Sequence, residues 1–385
     1  MDANWAGTKK SQRCRLILTE GDSAATLAVS GREKAGGPDI NGIYPLRGKL
    51  FNPCKGTNPC SRANVIKDRK EIAAIVRILN LKPDLDYTQS NNMKDLRYGK
   101  LVIMADQDKD GAHIAGLIMN FIQYWNPTIL KVPGFLHQFV TPVLKATKGK
   151  EVVSFFSELE YQAWSKEIDS NVYTIKYYKG LGTSTSKEAK EYFANLGTHL
   201  FQFESMSEES SDLLSVAFHG SKKKERKEWI SQYGGTNIQA PDFKTNPRSF
   251  QGFLNSSLME YNDATRVRTI PSMADGLKEV QRKVLFTCLS KNLTTETKVA
   301  TVASMVSETA QYHHGETSMM DTIIRMAQTF VGKNNVNLLY PAGQFGSRLK
   351  GGADAASPRY IFTKLHPLAR KLFVPDDDHV LDYLE

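Results

Sequence analysis

The chain has 385 residues, with 50 Lys and Arg against 41 Asp and Glu and a formal charge of +9 at pH 7. Hydrophobic residues at 41% and charged residues at 24% are ordinary globular usage, which excludes a long disordered or collagen-like chain. At about 100–200 residues per domain the length argues for two or three domains; no apolar run approaches the ~18–20 residues of a membrane span. The first residues, Met1 to Gly7, carry an acid and no apolar core, so they are no signal peptide. Four cysteines (Cys14, Cys54, Cys60, Cys288) without a C-x-x-C pair are too sparse for a disulfide framework and fit a reducing intracellular compartment.

Two segments share one pattern. Arg15 to Thr19 is a short apolar run entering Glu20-Gly-Asp-Ser and an alanine-rich stretch. Lys100 to Ala105 is another, entering Asp106-Gln-Asp108-Lys-Asp110-Gly and an apolar periodic stretch. Each reads as buried strand, polar turn and helix, which predicts parallel strands in a covered sheet and an α/β domain over residues 1–150. Residues 151–245 mix an aromatic strand at 172–178 with a helix at 186–196. An acidic run at 208–212 and a basic run at 222–227 follow, and the segment reads as an extension and connector. The basic run reads as a solvated helix face in preference to a nuclear localisation signal. From 246 to 385 the pattern turns helical. Apolar residues at spacings of three and four predict helices over 272–289, 297–311 and 317–331, followed by a hairpin turn at Gly351-Gly352. Three helices and a hairpin outline a winged helix, a DNA-reading architecture.

Ligands of open α/β sheets sit at the carboxyl ends of the strands, where both acidic turns fall. Neighbouring strands would bring Glu20, Asp106, Asp108 and Asp110 together, hard oxygen donors suited to Mg²⁺. A calcium EF-hand is excluded, because counting Asp106 as position one puts Leu117 where a bidentate Glu is required and a strand precedes the loop. The bland alternative is a solvated acidic turn whose Asp residues cap a helix. No Walker A loop, G-x-G-x-x-G, H-E-x-x-H or G-x-S-x-G occurs.

Thr19-Glu-Gly-Asp-Ser-Ala24 with Ile103 to His113 resembles the Toprim fold of topoisomerases, primases and some nucleases. Pro45-Leu-Arg-Gly-Lys49 and Tyr177-Tyr-Lys-Gly-Leu-Gly-Thr-Ser-Thr185 resemble the eukaryotic-type type IIA DNA topoisomerases. The resemblance implies a Toprim α/β domain followed by a mainly α winged-helix domain. It implies metal ligation by Glu20, Asp106 and Asp108, with Asp110 supporting and Mg²⁺ as the cofactor. Ala353-Asp-Ala-Ala-Ser-Pro-Arg-Tyr-Ile-Phe-Thr363 resembles the segment carrying the family's active-site tyrosine, which implies Tyr360 as nucleophile and Arg359 beside the scissile phosphate. Arg268, Lys278, Arg47 and Lys49 would contact DNA. Asp275 would be structural, and Tyr312-His-His314-Gly-Glu resembles the paired histidines, with His314 facing the cleavage region. The loop with Phe51-Asn-Pro-Cys54 and Asn58-Pro-Cys60 departs from the family pattern.

The implied activity is Mg²⁺-dependent cleavage and religation of double-stranded DNA through a 5′-phosphotyrosyl link, by a homodimeric, ATP-dependent parent whose ATP site is not in this chain. A DNA-binding module without catalysis and a Toprim nuclease are the alternatives. Neither end looks like a natural terminus, so a cut piece is expected, from a nuclear enzyme, or from a large DNA virus with a cytoplasmic replication site.

Overall fold

In the first strand, β1 (Arg15–Glu20), successive residues divide between two cores. Leu16 and Leu18 face one apolar cluster and Ile17 the other; in β3 (Lys100–Met104) Leu101 and Ile103 oppose Val102 and Met104 in the same way. A strand alternates its side chains between faces, so a continuous apolar run is what a sheet covered on both sides requires. This is a computed structural model, describing residues 1–169, 172–178, 180–310, 312, 315–334 and 336–378. Two compact units divide between Ala264 and Thr265.

The first unit holds a five-stranded sheet in the order β2-β1-β3-β4-β8, with β2 Asn41–Leu46, β4 Leu136–Phe139 and β8 Leu200–Gln202. The β2-β1, β1-β3 and β3-β4 pairs are parallel and only β8 runs antiparallel. This is the mostly parallel α/β sheet expected. Helix α1 (Gly21–Gly31) follows β1 directly, and α2 (Lys109–Trp125) follows β3. The α2 helix is buried along most of its length, from Ile114 to Trp125, in the larger of the two cores. A second antiparallel sheet, β6-β5-β7 (β5 Leu144–Lys148, β6 Glu151–Phe155, β7 Thr174–Tyr177), closes a small core of Val143, Leu144, Ala146 and Phe155. Helix α3 (Ser186–Ala194) starts at a capping box in which Thr185 and Glu188 satisfy each other's backbone N–H.

The segment read as an extension and connector packs into the larger core. In α4 (Glu208–Phe218) Leu214 and Phe218 are buried, and in α5 (Lys223–Tyr233) Trp229 is buried while its indole donates to Asn255 at 2.7 Å. The lysines of the 222–227 run lie on the solvated face, except that Arg226 turns back to donate to Val216 O at 2.8 Å. Phe250, Phe253, Leu254, Leu258 and Met259 also enter this core, which is why the division falls later than residue 246.

The second unit packs α7 (Glu279–Ser290), α8 (Val299–Thr309) and α9 (Glu316–Ala327) around Val284, Val302, Val306 and Ile323; the helix Ser257–Thr269, which spans the division, is α6. Helix α7 begins later than the 272 expected. Gly276 has φ +69°, and the Ser272–Leu277 turn is closed by two backbone hydrogen bonds of 2.9 Å. The sheet β10-β11-β9 (β9 Thr297–Lys298, β10 Leu339–Ala342, β11 Phe362–Leu365) is antiparallel. Gly351 and Gly352 do have positive φ, at +57° and +81°, but the ladder stops at the Ala342–Phe362 pair, so they do not form a tight hairpin. They lie in a long excursion held by side chains: the Gln328 amide donates to Phe345 O at 2.9 Å, and Asp354 accepts from Ser347 N at 2.8 Å.

Candidate active site

Because β1 and β3 are adjacent and parallel, with Thr19 opposite Met104, Glu20 and Asp106 leave the sheet at the same end. The Asp106 N–H donates to Glu20 Oε2 at 3.0 Å across 86 residues of sequence. Burial, then the charges of Asp106, Asp108 and Asp110, push Glu20 up to about 7 against that hydrogen bond. Burial raises Asp106 as well, opposed by the Leu181 N–H that donates to its Oδ1 at 2.8 Å. Two glycines let backbone close around this carboxylate. A Cβ on Gly180 would sit 2.6 Å from Asp106 Oδ2, and one on Gly111 would sit 2.0 Å from Asp106 O.

Asp108 is the N-cap of α2 and accepts from Gly111 N at 2.7 Å, so the helix-cap reading describes its contact. Asp110 pairs with Lys49 at 2.6 Å. Lys49 also lies 4.8 Å over the ring of Tyr261, which stacks on His113 at 3.9 Å. Burial, and next the Lys49 charge, lower His113 to about 4. Neither Tyr261 nor Glu260, which burial raises to about 7, was signalled by the sequence. Their helix is distant from the acidic turns in sequence, and no local spacing pairs them.

Among the described residues no three His, Cys, Asp or Glu side chains are gathered closely enough to enclose an ion. The donor set still fits Mg²⁺, which takes one or two carboxylates and completes its shell with water and phosphate oxygens. Glu20 and Asp106 supply two adjoining carboxylates whose mutual repulsion a cation would relieve.

In the second unit Tyr360 is 71% exposed, at a turn where its N–H donates to Ser357 O at 2.9 Å; Arg359 is exposed beside it. Arg268 lies near the end of α6 and Lys278 caps α7, its N–H donating to Gln281 at 2.9 Å. Asp275 holds Arg282 through two hydrogen bonds of 2.7 and 2.9 Å and accepts from Leu277 N, a structural arrangement. Arg47 and Lys49 are exposed after β2. His314 falls outside the described residues.

A mostly parallel sheet whose adjacent strands end in Glu20 and the Asp106 turn, followed by a mainly helical unit, is the arrangement expected of a Toprim fold and its partner domain. Comparison agrees segment by segment: the Toprim domain matches residues 15–137, the C-terminal associated domain of TOPRIM matches 139–266, and the DNA gyrase/topoisomerase IV family matches 268–385. The chain belongs to the type II DNA topoisomerases and corresponds to their cleavage and religation region. It is 48% identical to DNA topoisomerase 2 of Caenorhabditis elegans, with 100% of this chain and 26% of that protein aligned. With the mitochondrial DNA topoisomerase 2 of Dictyostelium discoideum it shares 48% identity, over 100% of this chain and 29% of that one. The solved topoisomerase II DNA-binding, cleavage and re-ligation domain of Plasmodium falciparum is 44% identical, with a TM-score of 0.79 over 98% of this chain and 50% of that chain. The chain thus spans about a quarter of the length of its curated relatives. These relatives are cellular, and a viral source finds no support in them.

Proposed function

We propose that this chain performs the DNA-cleaving and rejoining step of a type II topoisomerase, using the Tyr360 hydroxyl as nucleophile on a DNA phosphate. The bond to the 3′ oxygen breaks, a 5′-phosphotyrosyl bond forms, and attack by the released 3′-hydroxyl reverses the step without outside energy. Arg359, next to Tyr360, neutralises the phosphate, and Arg268, Lys278, Arg47 and Lys49 track the backbone, so binding weakens with salt. Glu20, Asp106 and Asp108 would hold Mg²⁺, with Asp110 in support; His314, outside the described residues, is assigned to the scissile region by the resemblance alone. The ion, when bound, supplies charge stabilisation at the attacking and leaving oxygens. The observation that carries the reading is the convergence of Glu20 and Asp106 at neighbouring strand ends, linked at 3.0 Å.

In this reading residues 1–150 form the Toprim domain, its extension runs past the 245 expected because residues 250–259 pack into the first unit, and the winged-helix domain occupies the second unit. The parent acts as an ATP-dependent homodimer, with the carboxylates of one protomer serving the tyrosine of the other, on nuclear DNA. Among the described residues no helix is long and apolar enough to cross a membrane.

The test is denaturant-quenched cleavage of end-labelled duplex DNA with Mg²⁺, comparing this chain with Tyr360→Phe and Glu20→Gln. A covalent adduct lost in Tyr360→Phe and reduced in Glu20→Gln is the expected result. Free nicks that persist in Tyr360→Phe would mean a nuclease, and salt-sensitive binding without any cleavage would reduce the chain to a DNA-binding piece.

A further inference from the structure

The loop that departs from the family pattern contains two cysteines that the fold holds side by side. Cys60 N–H donates to Pro53 O at 2.9 Å, and Pro53 O belongs to the peptide unit whose nitrogen is that of Cys54. Covalent geometry then limits the Cα separation of Cys54 and Cys60 to about 7 Å at most, the outer limit for a disulfide.

Both ends of the loop are tied to one face of α2. Asn120 donates to Asn52 Oδ1 at 3.0 Å, and that same oxygen accepts the Cys54 N–H at 2.8 Å. One helical turn later the Tyr124 hydroxyl donates to Cys60 O at 2.5 Å. From the other side, Gly220 N–H donates to Cys54 O at 2.8 Å, and a Cβ on Gly220 would meet Lys55 O at 2.2 Å. The two thiols are unequal in access, Cys54 being buried and Cys60 exposed, and both are unpaired.

We propose that Cys54 and Cys60 form a reversible intramolecular disulfide, a thiol modification site that closes the loop after Lys49. The loop brings the two thiols near enough that Cys60 adds to burial in raising Cys54. Burial pushes Cys54 up to about 11, so the exposed Cys60 reacts first and Cys54 resolves. With a low-molecular-weight disulfide as oxidant, Cys60 thiolate attacks one sulfur and expels one small thiolate. Cys54, losing its proton to solvent, attacks the Cys60 sulfur and expels the second. Two protein thiols are oxidised and one disulfide is reduced to two thiols. The loop forms one wall of a cleft of about 650 Å³ that also includes Lys49, His113 and Phe218, so closure fixes that wall.

The experiment equilibrates the folded chain with glutathione disulfide, quenches in acid, alkylates and digests with trypsin. Cleavage after Lys49, Lys55 and Arg62 separates the two cysteines, so a disulfide leaves Leu50–Lys55 and Gly56–Arg62 as one species that reduction splits. The expected result is that cross-linked species, a fall in thiol count from four to two, and accumulation of glutathionylated Cys60 in Cys54→Ser. The proposal is overturned if the unsubstituted chain also stops at glutathionylated Cys60, if Cys60 links two chains, or if the two peptides stay separate.

Discussion

Replacing Gly111 with Ala tests whether the Asp106 turn is held by close backbone packing. The added Cβ would lie 2.0 Å from Asp106 O, 2.9 Å from its carbonyl carbon and 3.1 Å from its nitrogen. A tolerable contact needs over 3 Å, so main chain must move by about 1 Å, and no flexible side-chain end is available to yield. Overpacking of this kind costs about 1–3 kcal/mol, while Ala in place of Gly inside a helix returns up to about 1 kcal/mol. The net loss is about 1–2 kcal/mol, lowering Tm by roughly 4 °C for a unit of this size. A displacement of ~1 Å at reacting groups costs on the order of 100-fold in rate, so adduct formation should fall by one to two orders of magnitude. Gly182→Ala, whose Cβ would meet nothing nearer than Ser23 at 3.6 Å, is the control and should match the unsubstituted chain in Tm. Thermal unfolding and quenched cleavage read the two effects separately. An unchanged Tm for Gly111→Ala would refute the reasoning whatever the activity.

Three further outcomes follow from the same kind of argument. Glu188 is held at about 2: burial opposes this, but the Thr185 N–H, the Tyr178 hydroxyl and Lys176 outweigh it. A depressed acid stabilises above its unfolded value of 4.5 and loses that contribution as pH falls toward 2. Glu188→Gln should therefore cost about 2 kcal/mol at pH 7 after screening, narrowing to less than half that at pH 3; equal urea midpoint shifts at both pH values would count against it. Asp275→Asn removes the two-point contact with Arg282 and should cost about 1 kcal/mol in the second unit, with faster amide exchange in the Ser272–Leu277 turn. Tyr360→Phe, at a position 71% exposed, should leave Tm within measurement error, so any loss of adduct is chemical.

Local sequence showed what local physics determines. The apolar runs at Leu16–Leu18 and Leu101–Ile103 announced strands buried on both faces, and Asp106 announced a turn at a strand end. The helix start at 279 was missed because Asp275 and Gly276 build a turn that periodicity does not register. Gly351-Gly352 suggested a hairpin, yet the chain there is fixed by Gln328 and Asp354, contacts that no spacing rule contains. Within the site, the carboxylates were legible as residue types. Their partners were not: Leu181 N–H on Asp106 and Tyr261 against His113 are long-range contacts that exist only once the sheet is built. Cys54 and Cys60 looked like isolated thiols until the Pro53–Cys60 hydrogen bond closed the loop between them.

The juxtaposition of Glu20 and Asp106 has a bearing on when the chain can act during its own synthesis. β1 pairs with β3 only after the intervening segment, including β2, has been made, and closing so long a loop precedes any reward from the pairing. A nascent chain that has exposed Glu20 therefore still lacks the Asp106 N–H that donates to its carboxylate, and Leu181, which donates to Asp106, emerges later still. This acidic cluster is completed late and from distant pieces, so its geometry depends on the whole first unit having folded.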